Sequence, residues 1–251
     1  MKTKNHLMLV ALFFALLSSC KKSDSTKDGG QTTSKKKYLT QIIAVNGSTT
    51  TITKYTYDIQ HRLAAISSSA VTDTYTYTTE GVKIINESFS AGTSRTLEFQ
   101  YQDGKVTTCN VTSYSSPSTG STRTTATYTF VYSGDKVSEI HYDGHLALYT
   151  YDGNNNITAI KFDSGDTTTY SYDNKPNMFT AAAPKFAFIL ADFNDRFSPN
   201  NIVQYTGART GPGITTIKYN YDSDGYPNSA AKTNDTASYL NTNYSYTYTE
   251  M

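Results

Sequence analysis

The chain has 251 residues and a formal charge of +1, and its 41 threonines and 22 tyrosines fill about a quarter of all positions. It lacks the basic excess that a nucleic-acid-binding protein carries, and its wealth of aromatic and β-branched residues excludes a disordered chain. Threonine and tyrosine favour extended backbone, so composition alone predicts an all-β protein.

The first segment stands apart from that pattern. Lys2 and Lys4 precede an apolar run, Leu7 to Leu17. Eleven residues are too few for a membrane-spanning helix, which needs about 20, and they fit the apolar core of a secretory signal peptide. Leu17-Ser18-Ser19-Cys20 follows. This resembles the lipobox of bacterial lipoproteins, which implies a signal peptide over 1–19, cleavage before Cys20, and lipidation of Cys20. Residues 20–37 then read as a flexible basic tether. They are rich in Gly, Ser, Thr and Lys, without apolar periodicity. In Gram-negative lipoproteins an Asp after the cysteine favours inner-membrane retention. Lys21 occupies that position here, so the resemblance implies an outer-membrane anchor, on a side that the sequence does not give. Of the charges after the tether, 14 are basic and 19 acidic, so the near-neutral total hides a mildly acidic domain.

Residues 38–251 read as one β-domain built on a recurring unit. Each unit is an aromatic pair spaced by one residue, then a turn, then a short run ending in an aliphatic. The units begin at Tyr55, Tyr75, Phe99, Phe130, Tyr149, Tyr170 and Tyr219, and YSYTYTEM closes the chain from Tyr244. Each unit predicts a β-hairpin, because residues i and i+2 of a strand share a face and Asn, Asp and Gly tolerate the positive φ of tight turns. Asp143-Gly144, between two alternating runs, predicts a two-residue type I′ turn. In chain order, strands are expected near 38–45, 50–57, 62–68, 73–78, 82–89, 95–101, 105–114, 123–132, 136–142, 145–151, 157–162, 167–172, 201–206, 214–221 and 244–249. Fifteen strands exceed what a flat twisted sheet holds. The expected fold is therefore an antiparallel up-and-down meander curled into a half-barrel or barrel. One segment breaks the pattern. Phe186, Ile189, Leu190, Phe193 and Phe197 fall on one helical face, predicting a short helix over 186–197.

Tyr57-Asp58 with Arg62-Leu63 and Ile66 resembles the YD repeat of Rhs-type proteins, with His61 where that repeat has Gly. Tyr151-Asp152, Tyr172-Asp173 and Tyr221-Asp222 keep only the opening of the motif. Lipobox, tether, degenerate repeats and a late interruption followed by Ser198-Pro199-Asn200-Asn201 together resemble a family of Gram-negative lipoproteins described as having a porin-like fold. The resemblance implies that fold over 38–251 and says little about activity.

Candidate chemistry is sparse. Across the predicted turn His141 pairs with Leu146, and Tyr142 with His145. That puts the two imidazoles on opposite faces and gives no joint metal site. Asn220, Asp222, Asp224 and Gly225 imitate the start of a calcium loop, but the twelfth position is Ala231 where a bidentate Glu is needed, so a hairpin turn is expected. Cys109 is the only cysteine after Cys20, which excludes an intramolecular disulfide in the mature domain and predicts a buried apolar thiol. No nucleophile motif is present, and the Asp residues recur at turns, which argues for structure over an active site. No enzyme, cofactor or nucleic-acid partner is expected. The aromatic pairs are the feature that could carry function. Tyr55, Tyr57, Tyr75, Tyr77, Tyr149, Tyr151, Tyr170 and Tyr172 could form cross-strand ladders, or a platform for a glycan or another envelope protein. A structural or binding module anchored to the membrane by lipid is the leading expectation. A carbohydrate-binding accessory lipoprotein of a glycan-uptake system and an unrecognised hydrolase are the alternatives. A membrane-spanning barrel conflicts with strands such as STRTTATYTFVY, since a lipid-facing band must be apolar at alternate positions.

Overall fold

The computed structural model describes residues 36–115, 122–180, 198–207 and 211–251. The signal segment, Cys20, most of the tether and the predicted 186–197 helix lie outside the described residues.

Sixteen strands run in chain order: β1 Lys37–Asn46, β2 Thr49–Tyr57, β3 Leu63–Ser67, β4 Val71–Tyr77, β5 Val82–Phe89, β6 Ser94–Gln102, β7 Lys105–Tyr114 and β8 Arg123–Ser133, then β9 Lys136–Tyr142, β10 His145–Tyr151, β11 Ile157–Phe162, β12 Thr167–Pro176, β13 Asn200–Thr206, β14 Ile214–Tyr221, β15 Pro227–Asn234 and β16 Thr242–Glu250. Each pairs antiparallel with its sequence neighbours, and β1 pairs with β16 to close a barrel. The meander and all fifteen expected strands are present. The sixteenth is β15, PNSAAKTN, whose Pro, Asn, Ala and Lys are poor strand formers. Its two neighbours hold it, from Thr215↔Asn234 to Tyr221↔Pro227 on one side and Ser229↔Ser245 to Lys232↔Thr242 on the other.

Strand alternation sorts side chains into two walls. The inner wall carries the core. Val82, Ile85, Leu97, Phe99, Val106, Cys109, Phe130, Val137 and Ile140 form one cluster; Ala147, Ile157, Ile160, Tyr170 and Ile202 form a second. A third joins Leu39, Tyr55, Leu63 and Ile66 to Met178 and Phe179, which follow β12 and are buried there. Outward positions of β4, β7 and β8 are Thr72, Thr74 and Thr76, Thr108, Asn110 and Thr112, and Thr125, Thr127 and Thr129. Neighbouring outward side chains bond one another: Thr96 donates to Asn86 at 3.1 Å and Thr127 to Asn110 at 3.0 Å.

Cys109 is fully buried beside Phe99, as expected, and burial pushes its thiol up to about 12. The Asp143-Gly144 turn has φ of +47° and +79°, both positive as a type I′ turn requires.

Candidate functional site

The recurring unit resolves into one geometry repeated around one end of the barrel. Toward that end each even-numbered strand carries a tyrosine: Tyr57, Tyr77, Tyr101, Tyr132, Tyr151, Tyr172, Tyr221 and Tyr248. Each lies opposite an aliphatic or proline at the start of an odd-numbered strand, and each pairing skips one residue. The skipped residue is a β-bulge, which bends the strand and increases its twist. Eight bulges at one level turn the sheet toward closure. The eighth joins Tyr248 to Leu39 and is made by the first and last strands.

The tyrosine hydroxyls close this rim. Tyr57 donates to the carbonyl of Leu39 (2.8 Å), Tyr77 to Leu63 (2.7 Å), Tyr101 to Val82 (2.8 Å), Tyr151 to Val137 (2.7 Å), Tyr172 to Ile157 (2.6 Å) and Tyr248 to Pro227 (2.9 Å). In all six the acceptor lies within the first three residues of the preceding odd strand. At four of the six the residue just before that acceptor packs on the ring. Arg62 lies over Tyr77 at 4.2 Å and Lys136 over Tyr151 at 5.3 Å, while Tyr38 and Tyr226 pack edge-on against Tyr57 and Tyr248. At Tyr101 that residue is Gly81, where a Cβ would stand 2.5 Å from the hydroxyl oxygen. Burial holds the phenols of Tyr57, Tyr77, Tyr101 and Tyr248 well above their ordinary range, and pushes that of Tyr151 up to about 12.

The Asp after the tyrosine pair builds the turn. Asp58 accepts the N–H groups of Gln60 and Arg62, Asp152 those of Asn154 and Asn156, and Asp222 those of Asp224 and Tyr226. Desolvation opposes ionisation at all three, but these N–H groups, with Arg62, Asn156 and Lys37, outweigh it and hold the carboxyls below the usual range. Three residues after each Asp the backbone is left-handed, at His61 (φ +59°), Asn155 (+67°) and Gly225 (+84°). His61 thus fills the place that a Gly takes in the resembled repeat. Asn220, Asp222, Asp224 and Gly225 form the β14–β15 hairpin, and Lys37 bridges Asp222 at 2.7 Å and Asp224 at 2.5 Å.

Tyr132 and Tyr221 are the two rim tyrosines outside the set of six carbonyl donors, and Tyr221 has a different kind of partner, at β12–β14. Tyr221 donates to the carboxylate of Asp173, which also accepts the N–H groups of Lys175 and Asn201. Here the chain leaves the sheet after Pro176 and rejoins it at Asn200. Both ends of the excursion are tied. Asn177 donates its N–H to the carbonyl of Pro199 (2.8 Å), and Asn156 and Asn200 exchange two bonds of 3.0 and 3.1 Å. The Ser198 hydroxyl donates to Tyr172 (2.8 Å) and accepts the N–H of Ile157 (3.0 Å). The Ser198-Pro199-Asn200-Asn201 run noted in the sequence is therefore a polar tie.

The eight tyrosines singled out as a possible platform all face inward. Tyr55 and Tyr170 are buried, and Tyr57, Tyr75, Tyr77, Tyr149, Tyr151 and Tyr172 are half-buried. Their ladder is mixed, since Tyr55 faces Ile66, Tyr75 faces Ile85 and Tyr149 faces Ile160. His145 pairs with Tyr142 and Leu146 with His141, as the alternation predicted, and the imidazoles bond separate partners, Asp163 and Glu139. Sequence reasoning missed an inward charge group. Asp73 and Glu87 are directly opposite and buried, with Arg95 bonded to Glu87. Inward Asp and Arg at strand positions that otherwise read as polar alternation were the only available signal. Among the described residues no three His, Cys, Asp or Glu side chains gather as a metal site, and no helix is long and apolar enough to cross a membrane.

No family model matches the chain, and no curated protein does. Solved structures do. A porin-like protein from Bacteroides uniformis ATCC 8492 superposes with a TM-score of 0.53 at 20% identity, covering 83% of this chain and 96% of that one. A porin-like protein from Bacteroides vulgatus ATCC 8482 does so with a TM-score of 0.55 at 13% identity, covering 86% and 100%. At these identities the likeness is one of fold: this chain has a porin-like barrel.

Proposed function

We propose that this is a lipid-anchored protein of the outer membrane whose barrel stands in water as a non-catalytic structural or binding domain. One observation carries the reading: the barrel's polarity is the reverse of a membrane-spanning one. A spanning barrel presents an apolar band to lipid and keeps its polar residues inside. Here Phe99, Leu97, Ile85 and the tyrosines line the interior, while Thr72, Thr74, Thr76, Asn86, Thr96, Thr108, Asn110, Thr112, Thr125, Thr127 and Thr129 make most of the outside of β4–β8. Such a wall is stable in water and costly in hydrocarbon. Membrane attachment then falls to the N-terminal segment, where the lipobox-like run supplies Cys20. The Asp side chains at the hairpin turns are spent on backbone N–H groups, which favours a structural role for them. A fatty-acid analogue fed to cells should label the wild type and leave Cys20→Ser unlabelled. Label persisting in Cys20→Ser would remove the anchor from the account.

A further inference from the structure

We infer that the free edge of β2 pairs with the same edge of a second copy of this chain, joining two barrels through one continuous ribbon. The pairing does not depend on a lipid anchor at Cys20. β2 outruns the strand beside it. It pairs with β1 from Asn46↔Thr49 to Gln41↔Lys54, but β3 stops at Lys54↔Ser67, where its chain turns into β4. Thr49 to Thr53 therefore stand past β3, at the end of the barrel opposite the tyrosine rim. Among the described residues nothing pairs with that side of them. The turn at Gly47-Ser48 has two residues, so its closing pair Asn46↔Thr49 is hydrogen-bonded and bonded pairs recur at every second residue. Thr49, Thr51 and Thr53 thus spend their backbone groups on β1, while Thr50 and Ile52 turn theirs to the open side. Native sheets blunt such edges with Lys, Pro, a bulge or an inward charge. TTTIT has no Lys, Pro or charge; every residue is β-branched and keeps its N–H. A second copy fits this edge without conflict. An antiparallel pair centred on Thr51 sets Thr50 against Ile52 of the other copy, twice, and these four residues exchange all their open N–H and C=O groups. No charge meets a like charge. Ile52 is 45% exposed on the outer wall opposite Ile43, and Val45 on the same face is 37% exposed. Across the seam the two Ile52 side chains are diagonal neighbours about 7–8 Å apart, so pairing covers apolar surface that a lone barrel leaves in water. The antiparallel arrangement sends the two barrels in opposite directions, each past the end of the other, and keeps their walls apart.

Thr51 would lie on the two-fold axis, where opposed Cα atoms are about 4.5 Å apart and a disulfide can close. Thr51→Cys, Thr53→Cys and Leu148→Cys are made in the full chain. Intact cells are treated briefly with copper–phenanthroline, and their extracts are run on a non-reducing gel. Leu148 is exposed on β10 and reports chance collision, and the wild type, with Cys109 buried, is the blank. Thr53 would face Thr49 of the other copy, so Thr53→Cys has no opposed thiol. Thr51→Cys should give a band at twice the chain mass, at least about fivefold stronger than either of the other two variants. Adding Ile52→Lys, which sets like charges diagonally across the seam, should return that band to their level. A Thr51→Cys dimer no stronger than that of Leu148→Cys, or one that survives Ile52→Lys, overturns the pairing. So does an adduct of any other mass, which would give the edge to a different partner.

Discussion

The inner and outer walls of this barrel are made from the same strands and differ in every other respect. Along β8 the inward positions are Thr124, Ala126, Tyr128, Phe130 and Tyr132, and the outward ones Arg123, Thr125, Thr127, Thr129 and Val131. Inward side chains interlock in clusters, and outward ones bond in pairs along the surface or meet water. Stability should therefore reside in the inner wall, and compatibility with water in the outer one. A membrane-spanning barrel would divide these roles the other way.

The sharpest way to test that contrast is one substitution on each wall. Phe99→Ala empties a fully buried position between Cys109 and its neighbours and should cost about 3–5 kcal/mol. Thr127→Ala removes one surface hydrogen bond and should change stability by less than about 0.5 kcal/mol. Urea midpoints of the two variants measure both. Comparable losses would mean that the walls do not differ as described.

The rim gives a smaller, more specific effect. Tyr77→Phe keeps the ring under Arg62 but leaves the Leu63 carbonyl without its donor. The expected loss is about 1–3 kcal/mol, and the same change at outward-facing Tyr114 should be nearly silent. The rim also sets two pH limits. Its phenols are held neutral by burial, with folded values above the ordinary ~10. Their contribution is complete below pH 10 and fades as pH climbs toward 12. The turn carboxyls are held ionised, below their ordinary ~3.9. Their contribution is complete above about pH 4 and fades as pH falls below it. A urea midpoint that is flat from pH 5 to 9 and drops on both sides fits this. A midpoint that keeps rising above pH 10 would contradict it.

Much of this was readable from the chain because the unit repeats. Tyrosines two apart share a face, Asp, Asn and Gly clusters mark turns, and the register at His141 to Leu146 follows from a two-residue turn. Closure was left open, since a meander fits a half-barrel equally well. What closes it is the β1–β16 pairing, in which Leu39 and Tyr248 complete an eighth unit from opposite ends of the chain. The bulge was hidden too, because one skipped residue between a tyrosine and an aliphatic leaves no mark in composition. β15 escaped notice because its own residues do not favour a strand and only its neighbours impose one. Asp73, Glu87 and Arg95 were hidden because alternation says which face a residue takes only once that face is known to be the inner one.

The central claim is that the tether alone holds the barrel to the membrane. Lys21, Lys22, Lys27, Lys35, Lys36 and Lys37 make the tether the natural target of trypsin. Brief trypsin treatment of isolated membranes, followed by sedimentation, measures what remains attached. The account predicts that the folded barrel passes into the soluble fraction without detergent once the tether is cut. A barrel that stays with the membrane after complete cleavage of the tether would contradict it.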